Sequence, residues 1–443
     1  MENLIERFAS GITRRDFVKR SALTAGAGLV AASLPVGATA FAAGNDELKV
    51  ALVGCGGRGT GAANQALIAD EGTRLVAMAD AFRDRIDSSY QNLSNRWEES
   101  GRLDVPEERK FTGFEAYKSA IDLADVVILT TPPGFAPKHF EYAIQQGKHV
   151  FMEKPVATDV PGVRRVLEAG RLAKEKNLNV VVGLQRRYQN RYLDVLKRIQ
   201  NGDVGKLISG QVYWNDGGVW VNERQPGQGE MDYQMRNWYY FTWLCGDHIV
   251  EQHIHNIDVA NWFIGEYPVS AQGMGGREVR TGKDHGQIFD HHFVEFTYPG
   301  GQVIAAQCRH QPNTFARVDE FFQFTDGTVH AGRGVIRNWS GSPLYEHDDS
   351  NDPNPYQVEH DVLFAAIRNG DEVNDSEIGA KATLAAIMGR MATYSGQVIS
   401  WEDAMNSEIV LVPDQLDWDL NPPVMPDEYG KYPVPVPGVT QVI

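Results

Sequence analysis

From residue 48 onward the chain alternates short, unbroken apolar runs with longer stretches in which apolar residues return every three or four positions. The unbroken runs fall at 48–53, 74–79, 125–130, 149–152 and 179–184. Runs of this length, bounded by Gly, Asp or Pro, read as strands buried on both faces, and the intervening stretches read as amphipathic helices. The alternation predicts an α/β unit over residues 46–184, a doubly wound parallel sheet of the Rossmann type with helices on both faces. Beyond residue 185 the pattern changes. A helix is predicted near 189–201, then longer segments with period-two alternation, and Tyr298-Pro299-Gly300-Gly301 signals a hairpin within 288–308. Residues 185–412 are therefore expected to form an α+β domain built on a large mixed, antiparallel-rich sheet. The proline-rich end, 413–443, is expected to run as an extended arm over the surface or a neighbouring subunit.

The first 42 residues fit neither domain. Thr13-Arg14-Arg15-Asp16-Phe17-Val18-Lys19 precedes a mildly apolar, Ala- and Gly-rich stretch and the small-residue pattern Ala38-Thr39-Ala40-Phe41-Ala42. This resembles a twin-arginine export signal cleaved near Ala42. Residues 21–42 are too interrupted by Gly, Ser and Pro to read as a membrane span. The expectation is a periplasmic protein with no membrane segment after cleavage. A formal net charge of -16 disfavours nucleic acid and anionic membranes as partners. The three cysteines, Cys55, Cys245 and Cys308, are odd in number and widely spaced. They suggest neither a disulfide framework nor a zinc motif and are expected in the core.

The first predicted strand runs into Val50-Ala51-Leu52-Val53-Gly54-Cys55-Gly56-Gly57-Arg58-Gly59, a glycine-rich turn that opens a helix. The first glycine permits the turn, the second lets backbone approach a pyrophosphate, and the third lets helix and strand pack closely. The second strand, Leu75-Val76-Ala77-Met78-Ala79, ends in Asp80, where a carboxylate can meet the adenosine ribose hydroxyls. Gly54, Gly56, Gly57, Arg58, Gly59 and Asp80 are thus candidates for binding a dinucleotide. Asp80 would repel a 2′-phosphate and favours NAD, whereas nearby Arg83 and Arg85 leave NADP open. The third strand ends in Thr131 and Pro132, at the carboxyl edge where ligands bind in open α/β sheets. Within 213–243, Tyr213, Trp214, Trp220, Trp238, Tyr239, Tyr240 and Trp243 sit among glycines and polar residues, a pattern compatible with a sugar-stacking loop or with core.

At the same edge, Gly147-Lys148-His149-Val150-Phe151-Met152-Glu153-Lys154-Pro155 places a lysine directly after a buried strand. With the glycine loop and the two-domain order, this motif resembles the Gfo/Idh/MocA oxidoreductase family over essentially the whole mature chain. The resemblance implies that Glu153 and Lys154 lie beside the nicotinamide and that Lys154 bonds the hydroxyl being oxidised. A second family signature reads Glu251-Gln252-His253-Ile254-His255-Asn256-Ile257-Asp258. On a continuous helix Glu251, His255 and Asp258 would share one face, extended by His248 and Trp262. By resemblance His255 is the acid/base, a role suited to a side chain that titrates near working pH. Relatives commonly carry Asp where this chain has Glu251. His253 lies on another side of the helix and is expected to be packed. His248, Glu251 and His255 are a metal-site alternative, but no metal is expected because no further ligand can be placed beside them. Gln185-Arg186-Arg187-Tyr188 reaches the cleft in the family, with Arg187 a substrate candidate and Arg186 a structural ion-pair candidate. Trp238, His248 and His255 complete the substrate candidates.

These features together imply an exported oxidoreductase, a homodimer or homotetramer, acting on a secondary hydroxyl of a sugar, glycoside or cyclitol. Export past the cytoplasmic cofactor pool implies that NAD is tightly held. Two alternatives stay open: a redox-neutral NAD-dependent glycosidase working through a transient keto-sugar, and a sugar- or nucleotide-binding sensor without turnover.

Overall fold

The computed structural model describes residues 47–443, so the twin-arginine motif and its cleavage pattern lie outside the described residues. The first unit is a six-stranded sheet of β1 (Leu48–Val53), β2 (Thr73–Asp80), β3 (Lys110–Thr112), β4 (Val126–Leu129), β5 (His149–Met152) and β6 (Val180–Val182). Its order is β3-β2-β1-β4-β5-β6, all pairs parallel, with the reversal between β1 and β4 that opens a crevice at the carboxyl edge. The apolar runs mark β1, β2, β4, β5 and β6 within two residues. β3 gives no such run, because it is a three-residue edge strand with no fully buried side chain. The central strands are buried on both faces; Val50, Ala51 and Leu52 are all 0% exposed, each larger side chain contributing about 1.5–3 kcal/mol.

The second unit is a nine-stranded sheet of β7 (Leu207–Asp216), β8 (Ser270–Gly276), β9 (His291–Thr297), β10 (Val303–His310), β11 (Arg317–Phe324), β12 (Gly327–His330), β13 (Val335–Asn338), β14 (Pro343–Glu346) and β15 (Ile399–Ser400). Its order is β14-β13-β12-β11-β7-β10-β9-β8-β15, with β10 parallel to β7 and antiparallel to β9. In β9 and β10 every second residue is buried, so one face packs on helices and the other stays partly open. The buried face meets the helices Ile254–Ile264 and Ser376–Ser395, and the latter also packs on Val160–Glu175 of the first unit. One apolar core therefore runs from Val127 and Met152 through Val163 to Val294 and Ile387.

The opposite face of the first sheet is closed from far along the chain. Helix Pro355–Asn369 lies on Gly57–Ala69 and buries Val362, Leu363 and Phe364 in one cluster with Val50, Leu52 and Ile128. The segment that follows caps the sheet edge, Val180 donating to Val373 (2.8 Å) and Asp375 donating to Val180 (2.9 Å). Residues 413–443 form no helix or strand; they track over their own chain, with Tyr432 packed edge-on against Phe241. Among the described residues no helix is long and apolar enough to cross a membrane. Cys55, Cys245 and Cys308 are free and buried.

Candidate functional site: a dinucleotide crevice beside a Lys-Glu-His cluster

The glycine loop divides its labour. Gly54 adopts φ +97°, and a Cβ there would stand 2.6 Å from the Thr130 carbonyl carbon. At Gly59 a Cβ would meet the Gly54 oxygen at 1.9 Å and Thr130 Oγ1 at 2.5 Å, so these two glycines weld the helix to β1 and β4. At Gly56 and Gly57 a Cβ would meet no protein atom within 4 Å. That open side faces a cavity of about 630 Å³, and the helix starting at Gly57 has no side-chain cap to occupy its free N–H groups. The residues present therefore fit a dinucleotide: a bare, cationic helix start with room for a pyrophosphate, and a carboxylate one strand away.

The carboxylate is Asp80. Its Oδ2 accepts from the Cys55 N–H (2.7 Å) and its Oδ1 from the Phe82 N–H (2.9 Å), leaving lone pairs for ribose hydroxyls. Burial pushes its pKa up, against the pull of those two N–H groups. Of the two neighbouring arginines, Arg83 is engaged with Asp87 and Glu107, whereas Arg85 lines the cavity. Thr131 and Pro132 line it too. Arg58 reaches back from the loop to Glu153 Oε1 at 2.5 Å, so Glu153 braces the loop rather than the cavity wall.

The far wall comes from the second unit: Trp220, Asn222, Met235, Arg236 and Trp238. Trp220 and Trp238 lie 5.7 Å apart, while Tyr239, Tyr240 and Trp243 from the same aromatic segment are buried core. Arg236 crosses the crevice, bonding both oxygens of Asp84 at 3.1–3.2 Å and lying 4.0 Å over the Phe82 ring. Trp418 of the C-terminal arm packs with tilted rings against Phe82 (5.2 Å) and Phe114 (4.6 Å). Arg236, Phe82, Phe114 and Trp418 escaped the sequence reading. Nothing in local spacing marks residues brought to one wall from three distant segments.

Lys154 leaves β5 beside the strand end that carries Thr130, because Glu153 still pairs with Leu129 (2.9 Å). Its ammonium donates to the Glu251 carbonyl (2.7 Å) and to Glu251 Oε1 (2.9 Å), with only 12% and 13% of the two side chains exposed. An ammonium has three N–H groups, so one remains for a substrate oxygen. The helix expected to carry Glu251, His255 and Asp258 on one face is in fact broken. His248–Glu251 ends where the Gln252 and His253 N–H groups both turn to the His248 carbonyl, and a second helix runs Ile254–Ile264. The break bends Glu251 to Lys154 without moving His255 out of its field.

His255 is buried, 6% exposed, with its ring 6.0 Å from and nearly parallel to Trp214. Burial first, then the positive charges of Lys154 and Arg186, hold its pKa well below the ordinary histidine range, which favours the neutral ring. Asp258 and Arg187 are brought together as a bidentate pair at 2.7 and 2.8 Å, Arg187 also lying 4.8 Å over Trp262. That pairing turns both groups on each other rather than towards an open cavity. Arg186 forms a buried ion pair with Glu320. His253 is packed, its Nδ1 3.3 Å from Asn256 Oδ1 and its pKa lowered to about 3 by burial. His248 is fully buried and faces Asp247 and His292 rather than Glu251 and His255.

Residues 48–184 match the family described as an oxidoreductase family with an NAD-binding Rossmann fold, GFO_IDH_MocA. Inositol 2-dehydrogenase of Rhizobium meliloti is 24% identical over 330 residues, 70% of this chain and 86% of that enzyme. A glycosyl hydrolase family 109 protein of Shewanella pealeana is 25% identical over 51% of this chain and 50% of its own length. Scyllo-inositol dehydrogenase of Lactobacillus casei, solved with NAD(H) and scyllo-inositol, shares the fold with a TM-score of 0.60 at 17% identity, covering 81% of this chain and all of that one. The chain is an NAD-binding oxidoreductase, and its residues 48–184 match the Rossmann domain that this family model describes.

Proposed function

We propose that the protein oxidises a secondary hydroxyl of a sugar, glycoside or cyclitol, with Lys154 and His255 as the reacting side chains. The observation that carries this reading is the Lys154–Glu251 pair set beside a neutral, buried His255 at the carboxyl edge of the dinucleotide sheet. Gly56, Gly57, Arg58, Asp80, Thr131 and Pro132 hold NAD, which supplies the hydride acceptor when bound. Lys154 donates its remaining N–H to the substrate hydroxyl oxygen and, as a cation, favours the alkoxide character that develops there. Glu251 fixes the direction of that ammonium. An imidazole nitrogen of His255 takes the hydroxyl proton, for which its neutral state is required. Trp220 and Trp238 offer ring faces to the apolar side of a pyranose or cyclitol.

The proposal includes export and a tightly held cofactor. Arg236, tied to Asp84, lines the cavity, and Trp418 backs the lining residues Phe82 and Phe114, an arrangement that favours slow dissociation. A second reading, redox-neutral glycoside cleavage through a keto intermediate, is favoured by the Shewanella relative. One experiment separates them: purified protein dialysed against nucleotide-free buffer is incubated with a panel of glycosides and cyclitols, and products are read by mass spectrometry. A ketone at about one equivalent per chain is expected. Free aglycone in many turnovers would establish the second reading, and no product from protein that holds NAD would overturn both.

Asp80→Ala is expected to weaken NAD binding and to narrow the preference over NADP, since it removes both the ribose acceptor and the charge that repels a 2′-phosphate. Titration of the two nucleotides against nucleotide-stripped protein checks this. Equal affinities in the unmutated protein would take the specificity role from Asp80.

A further inference from the structure

Behind the Lys154–Glu251 pair, the structure assembles a polar cluster that the proposed reaction does not use. Asp247, His248 and His292 are each 0–2% exposed, and one ligand atom from each lies within 4.8 Å of the others. Asp247 Oδ1 stands 3.3 Å from His292 Nε2 and 3.8 Å from His248 Nε2. Ligands about 2.0–2.2 Å from a tetrahedral ion are separated by roughly 3.3–3.6 Å, so the Asp247–His292 contact is at coordination spacing and the Asp247–His248 contact lies slightly outside it.

The hydrogen bonds around the cluster point the same way. Thr393 Oγ1 donates to the Arg390 carbonyl (3.0 Å), so it meets His292 Nδ1 (2.9 Å) as an acceptor. His292 then carries a proton on Nδ1, and its Nε2 faces a carboxylate oxygen at 3.3 Å. That contact calls for a positive charge between the two atoms, supplied by a second proton on His292 or by a metal ion. Asp247 Oδ2 is already held by the Phe289 N–H (3.0 Å) and the Tyr394 hydroxyl (2.5 Å), the outer contacts that orient a ligating carboxylate. His248 is the second, independent observation: both of its ring nitrogens are buried with no hydrogen-bond partner. A fully buried imidazole seldom goes unpaired. Asp247 itself is a non-glycine residue at φ +79°, a costly backbone state that turns its carboxylate inward.

We propose that Asp247, His248 and His292 bind one divalent transition-metal ion of the zinc type, through Asp247 Oδ1 and the Nε2 atoms of both histidines. Neutral imidazoles with one carboxylate suit a borderline ion, and three protein ligands leave the fourth position to a bound water. The ion ties β9 to the turn that opens His248–Glu251. It thereby holds, from behind, the short helix whose last residue orients Lys154.

Metal content of the intact chain, measured by mass spectrometry after dialysis against zinc and then metal-free buffer, tests the site. The unmutated protein should keep about one zinc per chain, and His292→Ala less than about a tenth of that. Undiminished zinc in a folded His292→Ala protein overturns the assignment, as does an unmutated chain that keeps none. Should the variant fail to fold, cobalt decides on the unmutated protein. One equivalent should give the intense visible bands of a four-coordinate N/O site, displaced by zinc, and a featureless spectrum overturns the proposal.

Discussion

Replacing Lys154 or His255 by alanine is expected to lower turnover at least about a hundredfold while leaving NAD bound, the usual scale for losing an acid/base group. Neither side chain lines the dinucleotide cavity, so cofactor occupancy, read from the nucleotide released on denaturation, should stay near that of the unmutated protein. The pH profile adds an independent sign. His255 must be neutral to accept a proton, and its pKa is lowered by burial, Lys154 and Arg186. The acid limb of kcat/KM should therefore lie below the ordinary histidine value of about 6.5. Removing the Lys154 charge takes away one of the depressing influences, so a conservative Lys154→Met variant should move that limb upward. A limb near 6.5 in the unmutated protein would mean that His255 is not the group being titrated.

Gly59→Ala is expected to cost stability and cofactor together, whereas Gly56→Ala should cost cofactor alone. The Gly59 Cβ would stand 1.9 Å from a backbone oxygen that has no freedom to rotate away, so helix Gly57–Ala69 must lift off β1 and β4. Overpacking of this kind costs about 1–3 kcal/mol or more, and the shift also withdraws the helix N–H groups from their ligand. At Gly56, φ of -71° suits any residue and a Cβ meets no protein atom. The methyl group there can intrude only on a bound pyrophosphate. Thermal unfolding of nucleotide-free protein, set against NAD titration, separates the two variants. Equal loss of melting temperature in both would contradict this division of roles.

Much of the first unit was legible because its strands are buried on both faces and so leave unbroken apolar runs. The glycine loop and Asp80 were legible because they lie next to those runs in sequence. β3 was not, since a three-residue edge strand has no pattern to leave. The helix through Glu251 and His255 illustrates a different limit. Its apolar spacing is compatible with one helix, but the break after Glu251 is imposed by tertiary bonds, the pull of Lys154 on the Glu251 carbonyl and side chain and the packing of Gln252 against His310. Helical spacing pointed to Asp258 and the family resemblance to Arg187 as polar groups near the cleft, but neither could show that they bond each other. The cavity's outer wall was illegible for a simpler reason: Phe82, Arg236 and Trp418 meet only after folding.

Helix Pro355–Asn369 bears on how the chain is made. Val50, Leu52 and Ile128, in strands synthesised early, share their apolar layer with Val362, Leu363 and Phe364, which leave the ribosome near the end. The nucleotide-binding half is therefore contiguous in sequence but not in assembly. A nascent chain that has emitted residues 48–184 still presents an uncovered oily face, and cutting the gene at that boundary would leave the same face exposed permanently. Dissection of this protein into working parts has to carry the returning helix along, grafted to the first half, rather than follow the order of the residues.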